Sequence, residues 1–198
     1  MARPGLTGIL LVGGASRRFG SPKALAVWEG QTLAERAWQT LGEACGERIA
    51  VGKRADGLEL PFPIVDDGTE TRAALAGIVA GLMAAQTELC VVLPVDTPLV
   101  PPQLLVELGD ACADAAVTQT GPLPAAFRQS ALAALERRLA AGSLAVREAL
   151  SELATRVVEA DAALLANVNT PEELYELERR TASASSSSSA ALRARPTR

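Results

Sequence analysis

Short apolar runs rich in β-branched residues alternate along this chain with longer segments of helical periodicity. This alternation is typical of parallel strands joined by crossover helices, so it predicts an α/β fold with a mostly parallel central sheet. Strands are expected near residues 7–12, 48–52, 62–65, 89–94, 115–119, 124–128 and 156–160. Helices are expected from Thr32 onward and over residues 73–86, 101–112, 129–141, 144–153 and 171–180.

Two of these helices carry clear N-terminal signals. Thr32 and Glu35 have the spacing of a capping box, in which each side chain bonds the backbone of the other residue. Thr170 is placed to cap the last helix, Pro171 suits its first position, and Glu173 has the spacing to complete a second box.

The composition favours one folded domain. The chain has 198 residues, of which 48% are hydrophobic, and this is enough for one core, so we assign residues 1–180 to a single domain. Residues 181–198, TASASSSSSAALRARPTR, hold too little apolar area to offset the entropy of ordering, and we expect a disordered tail. No apolar run approaches the ~20 residues of a membrane span and no signal peptide is evident, so we expect a cytoplasmic protein.

Residue types that are missing exclude several function classes. The chain has no histidine, which excludes Ser–His and Cys–His hydrolases and His-ligated metals. Its three cysteines, Cys45, Cys90 and Cys112, form no C-x-x-C pair, so neither a zinc site nor a disulfide framework is expected. Any metal would have oxygen ligands, which favours Mg²⁺. The net charge of −4 argues against a nucleic-acid surface.

The first predicted strand runs into a glycine-rich, basic loop, LLVGGASRRFGSPKAL, at residues 10–25. Backbone N–H groups at Gly13 and Gly14 are open to phosphate oxygens because no Cβ atom blocks the approach. Arg18 and Lys23 are spaced to reach different phosphates, which predicts a cradle for a nucleoside triphosphate. The spacing fits neither G-x-G-x-x-G nor the P-loop, so a nicotinamide oxidoreductase is a poor fit. The alternative is an ordinary turn with solvated cations.

Three further polar groups follow predicted strands or extended segments. Asp96 follows a buried apolar run at the sheet edge where α/β proteins bind ligands, so it is a candidate Mg²⁺ ligand beside nucleotide phosphates. Asp66 and Asp67 close another strand, and either carboxylate can accept the N1 and N2 hydrogens of guanine. Asn167 and Asn169 share one face of an extended segment and can bind a polar heterocycle. Turn chemistry is the alternative for each group.

Taken in order, the runs LVGGASRRFGSPK, LPVDTPLV and NVNTPEEL resemble the molybdenum cofactor guanylyltransferases, also called molybdopterin-guanine dinucleotide synthases. The similarity extends over nearly all of residues 7–178. It implies a three-layer, Rossmann-like nucleotidyltransferase fold and transfer of GMP from GTP to molybdopterin or its molybdenum-loaded form. It also implies Mg²⁺ as cofactor, release of pyrophosphate, and transient protein partners that supply or receive the molybdenum cofactor, with no nucleic acid and no membrane as partner.

The resemblance implies roles for individual residues as well. Asp66 would read guanine, Asp96 would hold the metal, and Asn167 and Asn169 would lie near the pterin. Catalysis would rest on Arg18, Lys23 and Asp96, which neutralise and position the phosphates. The positions that correspond to the GTP site are Leu11, Val12, Gly13, Gly14, Lys23, Asp66 and Asp96.

The chain departs from the family pattern at two places. Ala73 and Ala74 stand where the family typically has a Gly-Pro turn that helps to shape the nucleotide pocket. The loop at residues 121–124 lacks a histidine that often precedes the equivalent proline. The alternatives are a relative that uses CTP or another acceptor, and a noncatalytic nucleotide-binding homologue.

Overall fold

A computed structural model describes residues 2–13 and 19–181. The strands are β1 (Arg3–Leu11), β2 (Val27–Trp28), β3 (Gln31–Thr32), β4 (Cys45–Gly52), β5 (Ile64–Asp66), β6 (Leu89–Pro94), β7 (Ala115–Thr118), β8 (Gly121–Arg128) and β9 (Thr155–Val158). The helices are α1 (Leu33–Ala44), α2 (Ala74–Ala84), α3 (Pro102–Ala111), α4 (Leu132–Ala140), α5 (Val146–Ser151) and α6 (171–181). Short 3₁₀ turns cover Lys23–Leu25, Arg54–Asp56, Gln129–Ala131 and Ala162–Leu165.

Seven strands form one sheet in the order β5-β4-β1-β6-β8-β7-β9. All neighbours are parallel except β8, which runs antiparallel to β6 and β7. Only Gln119 and Thr120 separate β7 from β8, and so short a link permits a hairpin but not a parallel crossover. The predicted α/β class and mostly parallel sheet are confirmed. The small β2–β3 hairpin was not predicted, because two-residue strands are too short to show alternation.

Side chains of the central strands alternate between two apolar layers. Leu10 and Leu93 pack on one face of the sheet, in the layer shared with α1 and α3. Ile9 and Val92 point to the other face, where α2, α4 and α5 cover the sheet. Because both faces of β1 and β6 are buried, their sequences read as continuous apolar runs. The result is the expected three-layer arrangement.

A third apolar cluster lies at one end of the molecule and joins segments that are distant in sequence. We call it the C-terminal cluster. It attaches α6 and the residues before it to the β2–β3 hairpin and to the start of α1. Its buried members are Phe19, Trp28, Leu33, Val168, Leu174 and Leu177.

The helix caps agree with the sequence in one case and differ slightly in the other. In α1, Glu35 N–H donates to Thr32 Oγ1 (3.1 Å) and Thr32 N–H donates to Glu35 Oε2 (2.9 Å), so the capping box is confirmed. In α6, Glu173 N–H donates to Thr170 Oγ1 at 3.2 Å, as predicted. The Glu173 carboxylate, however, accepts the N–H of Asn169 rather than that of Thr170, which fixes the backbone one residue earlier.

The ends of the described region bear on two expectations. Residue 181 is helical, so α6 extends one residue into the segment assigned to the tail, and residues 182–198 lie outside the described residues. No helix within 2–13 and 19–181 is long and apolar enough to cross a membrane.

Candidate active site

A pocket of about 550 Å³ opens at the carboxyl ends of β1, β4 and β6. The antiparallel strand β8 begins at the same edge of the sheet, so the loop before it adds a further wall. This volume lies in the range of small-molecule sites. The lining residues used below are Leu11, Val12, Gly13, Lys23, Lys53, Asp67, Arg72, Ala73, Ala74, Asp96, Thr120, Leu123, Arg147, Leu165 and Asn167.

Three polar residues from distant parts of the chain meet at the centre of this edge. Lys23 begins the 3₁₀ turn after the glycine loop, Asp96 follows β6, and Asn169 precedes α6. The Nζ atom of Lys23 lies 3.2 Å from Oδ2 of Asp96 and donates to Oδ1 of Asn169 at 3.1 Å. The side chain of Lys23 is 13% exposed and that of Asp96 is 26% exposed, so both groups remain accessible from the pocket.

Backbone bonds fix the position of Asp96. Val95 N–H donates to the carbonyl of Leu11 at 3.3 Å, which continues the β1–β6 pairing past the strand ends. The buried hydroxyl of Thr97 donates to the carbonyl of Pro94 at 3.2 Å and closes the turn. On the other side, Val168 N–H donates to the carbonyl of Asp96 at 2.8 Å. The segment before α6 is therefore held directly against the backbone of Asp96.

The donor set at Asp96 fits Mg²⁺ in one particular way. Within residues 2–13 and 19–181 no three His, Cys, Asp or Glu side chains cluster to hold a metal ion. Mg²⁺ is commonly bound through one or two carboxylates, with substrate phosphates and water as the other ligands. Asp96 is a partly exposed carboxylate at the strand end, so it suits this mode rather than an all-protein cage.

Two ion pairs lie on the β4–β5 side of the pocket. Lys53 Nζ contacts both carboxylate oxygens of Asp67, at 2.8 and 2.9 Å, and donates to the carbonyl of Thr69. Both side chains are largely buried, at 10% and 7% exposure. Arg72 pairs with Asp56 at 2.6 Å and attaches the loop before α2 to the turn after β4. These pairs hold together the pocket wall that contains Asp67.

Asp66 and Asp67 differ in their surroundings. Asp67 lines the pocket, whereas Asp66 is exposed and does not. The Asp66 carboxylate accepts the backbone N–H of Arg54 at 2.6 Å and of Gly68 at 2.8 Å, and these bonds lower its pKa below the usual value. The assignment of guanine recognition to Asp66 thus stays a prediction, and the structure places its neighbour on the pocket wall instead.

The pocket brings most of the other predicted residues together. Leu11, Val12, Gly13, Lys23, Asp96 and Asn167 line it. Asn169 joins them through its bond to Lys23. Gly20 has φ +73°, the left-handed conformation expected where the loop reverses toward Lys23. Gly14 and Arg18 lie outside the described residues.

Sequence reasoning missed three cations of the pocket wall. Lys53 directly follows the last residue of β4, so its position at the carboxyl end of a strand could have indicated that it lies near the site. Arg72 lies in the loop before α2, and Arg147 lies on α5. Neither has a sequence signal of its own, because their positions depend on how the helices pack.

A mixed α/β sheet with a basic, carboxylate-bearing pocket at the ends of its central strands is the arrangement of the nucleotidyltransferase class. A family model described as the MobA-like NTP transferase domain matches residues 8–168. The chain belongs to this family.

Individual relatives agree with that membership. The chain is 35% identical over 190 residues to a protein of Chloroflexus aggregans named "Probable molybdenum cofactor guanylyltransferase". The alignment covers 85% of this chain and 91% of the relative. It is 30% identical to a molybdenum cofactor guanylyltransferase of Desulfosudis oleivorans, over 87% and 94% of the two chains. Among solved structures, molybdopterin-guanine dinucleotide biosynthesis protein A of Archaeoglobus fulgidus superposes with a TM-score of 0.77 at 26% identity, covering 89% of this chain and 99% of that one.

Proposed function

We propose that this protein transfers GMP from GTP to molybdopterin, or to its molybdenum-loaded form, and releases pyrophosphate. The observation that carries the proposal is that Gly13, Lys23 and Asp96 share one pocket at the strand ends. The relatives' names supply the base and the acceptor. A cytoplasmic location and transient protein partners that deliver or receive the molybdenum cofactor belong to the same proposal.

The triphosphate fits the centre of the pocket. Gly13 offers close backbone approach, Lys23 offers a cation, and Asp96 is the residue that would hold Mg²⁺. The positive N-terminus of α2 also favours phosphate here, since Ala73 and Ala74 line the pocket and no side chain within residues 2–13 and 19–181 caps the helix. We place the guanine toward the β4–β5 side, where Asp67 lines the wall, and the acceptor toward the β8 side.

The reaction itself needs little covalent chemistry from the protein. A terminal phosphate oxygen of the acceptor attacks the α-phosphorus of GTP, forming a new P–O bond as the bond to the β-phosphate oxygen breaks. The leaving pyrophosphate takes the bonding electron pair. The attacking phosphate is already largely ionised near neutral pH, so no general base is required, in agreement with a chain without histidine. Bound Mg²⁺ would neutralise phosphate charge.

Lys23 and the two asparagines then orient the reactants. Lys23 is held between Asp96 and Asn169, so its ammonium stays at the position where phosphate charge accumulates. Asn167 lines the pocket beside Leu165, and we propose that it contacts the pterin together with Asn169. The roles of Gly14 and Arg18 in binding the triphosphate remain predictions from the sequence.

The test is GMP transfer with Mg²⁺, molybdopterin and GTP labelled at the α-phosphate, compared with CTP and ATP. We expect label from GTP to appear in the dinucleotide product, and Asp96→Asn to lower the rate by about 10²- to 10³-fold. Asp110→Asn, on the exposed face of α3, is the matched control and should leave the rate unchanged.

Two results would contradict the proposal. A preference for CTP would move the chain to the cytidylyl relatives, and GTP binding without pyrophosphate release would favour a noncatalytic homologue. Full transfer by Asp96→Asn would remove Asp96 from the site.

A further inference from the structure

The charges around the pocket are unevenly balanced. Among residues 2–13 and 19–181, four basic side chains line it, and three of them have carboxylate partners: Lys23 with Asp96 at 3.2 Å, Lys53 with Asp67 at 2.8 Å, and Arg72 with Asp56 at 2.6 Å. Arg147, the fourth, forms no ion pair with any residue in 2–13 or 19–181.

The local sequence explains why Arg147 is left without a carboxylate. The nearest acidic residues along the chain are Glu148 and Glu152, at the middle and the end of α5. Both pair with Arg138 of α4, Glu148 at 2.7 Å. Arg138 therefore takes up the negative charge that would otherwise neutralise Arg147. Arg147 is exposed at the pocket edge, where its guanidinium can bond an anion.

Arg147 lies at the β8 side of the pocket, away from the β4–β5 side where we place the guanine. Helix α5 packs against β8, and Arg147 lines the pocket with Thr120, Leu123 and Asn167. Lys53 and Asp67 lie at the β4–β5 side, and neighbouring strands are about 4.8 Å apart. Four strand spacings, about 19 Å, separate β5 from β8, with Lys23 and Asp96 between them.

This placement matches the geometry of an in-line displacement. The attacking oxygen and the leaving pyrophosphate must lie on opposite sides of the α-phosphorus. With the base on the β4–β5 side and the triphosphate at the centre, the β8 side is the part of the pocket that is left for the attacking phosphate. That phosphate carries a charge of about −1.5 to −2 and approaches an anionic triphosphate, so it needs a cation of its own.

We propose that Arg147 binds the terminal phosphate of the acceptor and holds it in line with the α-phosphorus. This inference rests on the proposed function. A planar guanidinium can donate two parallel hydrogen bonds to one phosphate, which fixes direction as well as distance. Arg147 thus sets which acceptors react: those that present a phosphate monoester beside the β8 wall.

The experiment separates acceptor binding from nucleotide binding. The protein is loaded with the GTP analogue that has a methylene group between the α- and β-phosphorus, which prevents transfer, and molybdopterin affinity is read from pterin fluorescence. We expect Arg147→Ala to weaken molybdopterin binding by about 10- to 100-fold, as for loss of a charged hydrogen bond, and Arg147→Lys to recover part of it. The Kd for the GTP analogue should change less than twofold.

Arg137→Ala is the matched control, since Arg137 is exposed on the neighbouring helix α4 and does not line the pocket. It should leave both affinities unchanged. Unaltered molybdopterin binding by Arg147→Ala would overturn the inference, and so would a loss confined to the GTP analogue. Failure of the wild-type protein to transfer GMP to bound molybdopterin would instead count against the proposed function, because the binding measurement does not depend on turnover.

Discussion

Two adjacent carboxylates, Asp66 and Asp67, show how much one step along an extended chain changes a residue's chemistry. Asp66 is exposed and is used to bond backbone N–H groups of the turn. Asp67 points into the pocket, where Oδ1 accepts Lys53 and the N–H of Thr69, while Oδ2 accepts Lys53. Oδ2 of Asp67 accepts Lys53 alone among the described residues, so it retains a lone pair that can accept the N1–H of guanine, whereas N1 of adenine carries no hydrogen.

We therefore predict that guanine preference depends on Asp67. In Asp67→Asn, the ratio of kcat/KM for GTP to kcat/KM for ATP should fall by at least about tenfold. The reason is that an amide NH2, which donates, replaces one carboxylate oxygen, which accepts. In Asp66→Asn, the same ratio should stay within about twofold. The ratio is the right readout, since Asp67→Asn also leaves Lys53 without its buried partner and lowers stability. The reverse result would return the base-reading role to Asp66.

The sequence located most single residues of the site but not this pair. Lys23 and Asp96 were predictable because Lys23 lies in the loop after β1 and Asp96 follows β6. The carboxyl ends of these parallel strands lie at the same edge of the sheet. The choice between Asp66 and Asp67 depends on where β5 ends and which turn bonds form, and neither is encoded in the local composition DDG. Arg147 depends on the packing of α5 against β8, which is a tertiary property.

At the scale of elements, α2 contacts β1 through glycines, which leave no Cβ atom between the helix and the strand. A Cβ atom at Gly81 would lie 2.6 Å from Cγ2 of Ile9, a fully buried residue of the central strand. That Cγ2 methyl has no room to move, since Ile9 is packed within the layer shared by α2 and α4. The glycine thus sets the distance between helix and sheet.

We predict that Gly81→Ala lowers the free energy of unfolding by about 1–2 kcal/mol, because overpacking of about 1–3 kcal/mol exceeds the gain in helix propensity. Gly42→Ala in α1 is the matched control. Its Cβ would meet the guanidinium of the exposed Arg48 at 2.6 Å, and this group can move into solvent at the loss of its bond to the Trp38 carbonyl and its contact with the Trp38 ring, partly offset by helix propensity, so the loss of stability should be smaller than for Gly81→Ala. Urea unfolding measures both, and equal effects would contradict the explanation.

Element type was predictable here and element pairing was not. The seven sheet strands and six helices follow from apolar periodicity, and the α1 cap follows from the Thr32–Glu35 spacing. The antiparallel direction of β8 was not read from the sequence, although the two-residue link after β7 contains that information. The β2–β3 hairpin is attached to the rest of the fold through Trp28, which is buried in the C-terminal cluster among residues distant in sequence.

At the scale of the whole molecule, three buried thiols couple stability to pH. Burial, above all other causes, raises the pKa of Cys45 to about 12 and the pKa of Cys90 and Cys112 to about 11. Unfolding exposes these thiols and returns the pKa to about 9. Below pH 9 both states are protonated and the contribution to stability is fully present. As the pH rises from about 9 toward the folded pKa, only the unfolded state loses these protons, and stability is lost.

We predict a loss of about 1.4 kcal/mol per pH unit for each thiol that is ionised only in the unfolded chain, between about pH 9 and 11. Cys45→Ala removes one such group, so its free energy of unfolding should fall less steeply with pH by about that amount. Urea unfolding at pH 8, 9, 10 and 10.5 provides the slopes. Identical slopes for the wild type and Cys45→Ala would show that Cys45 ionises alike in both states.

The bond from Val168 to the backbone of Asp96, and the bond from Lys23 to Asn169, give the end of the folded chain a part in the site. A nascent polypeptide, which emerges from the ribosome with its N-terminus first, holds the glycine loop and Asp96 long before α6 is available to secure them. The contacts that Val168 and Asn169 make with Asp96 and Lys23 can therefore form only after translation has passed residue 169, and the C-terminal cluster can close only after residue 177.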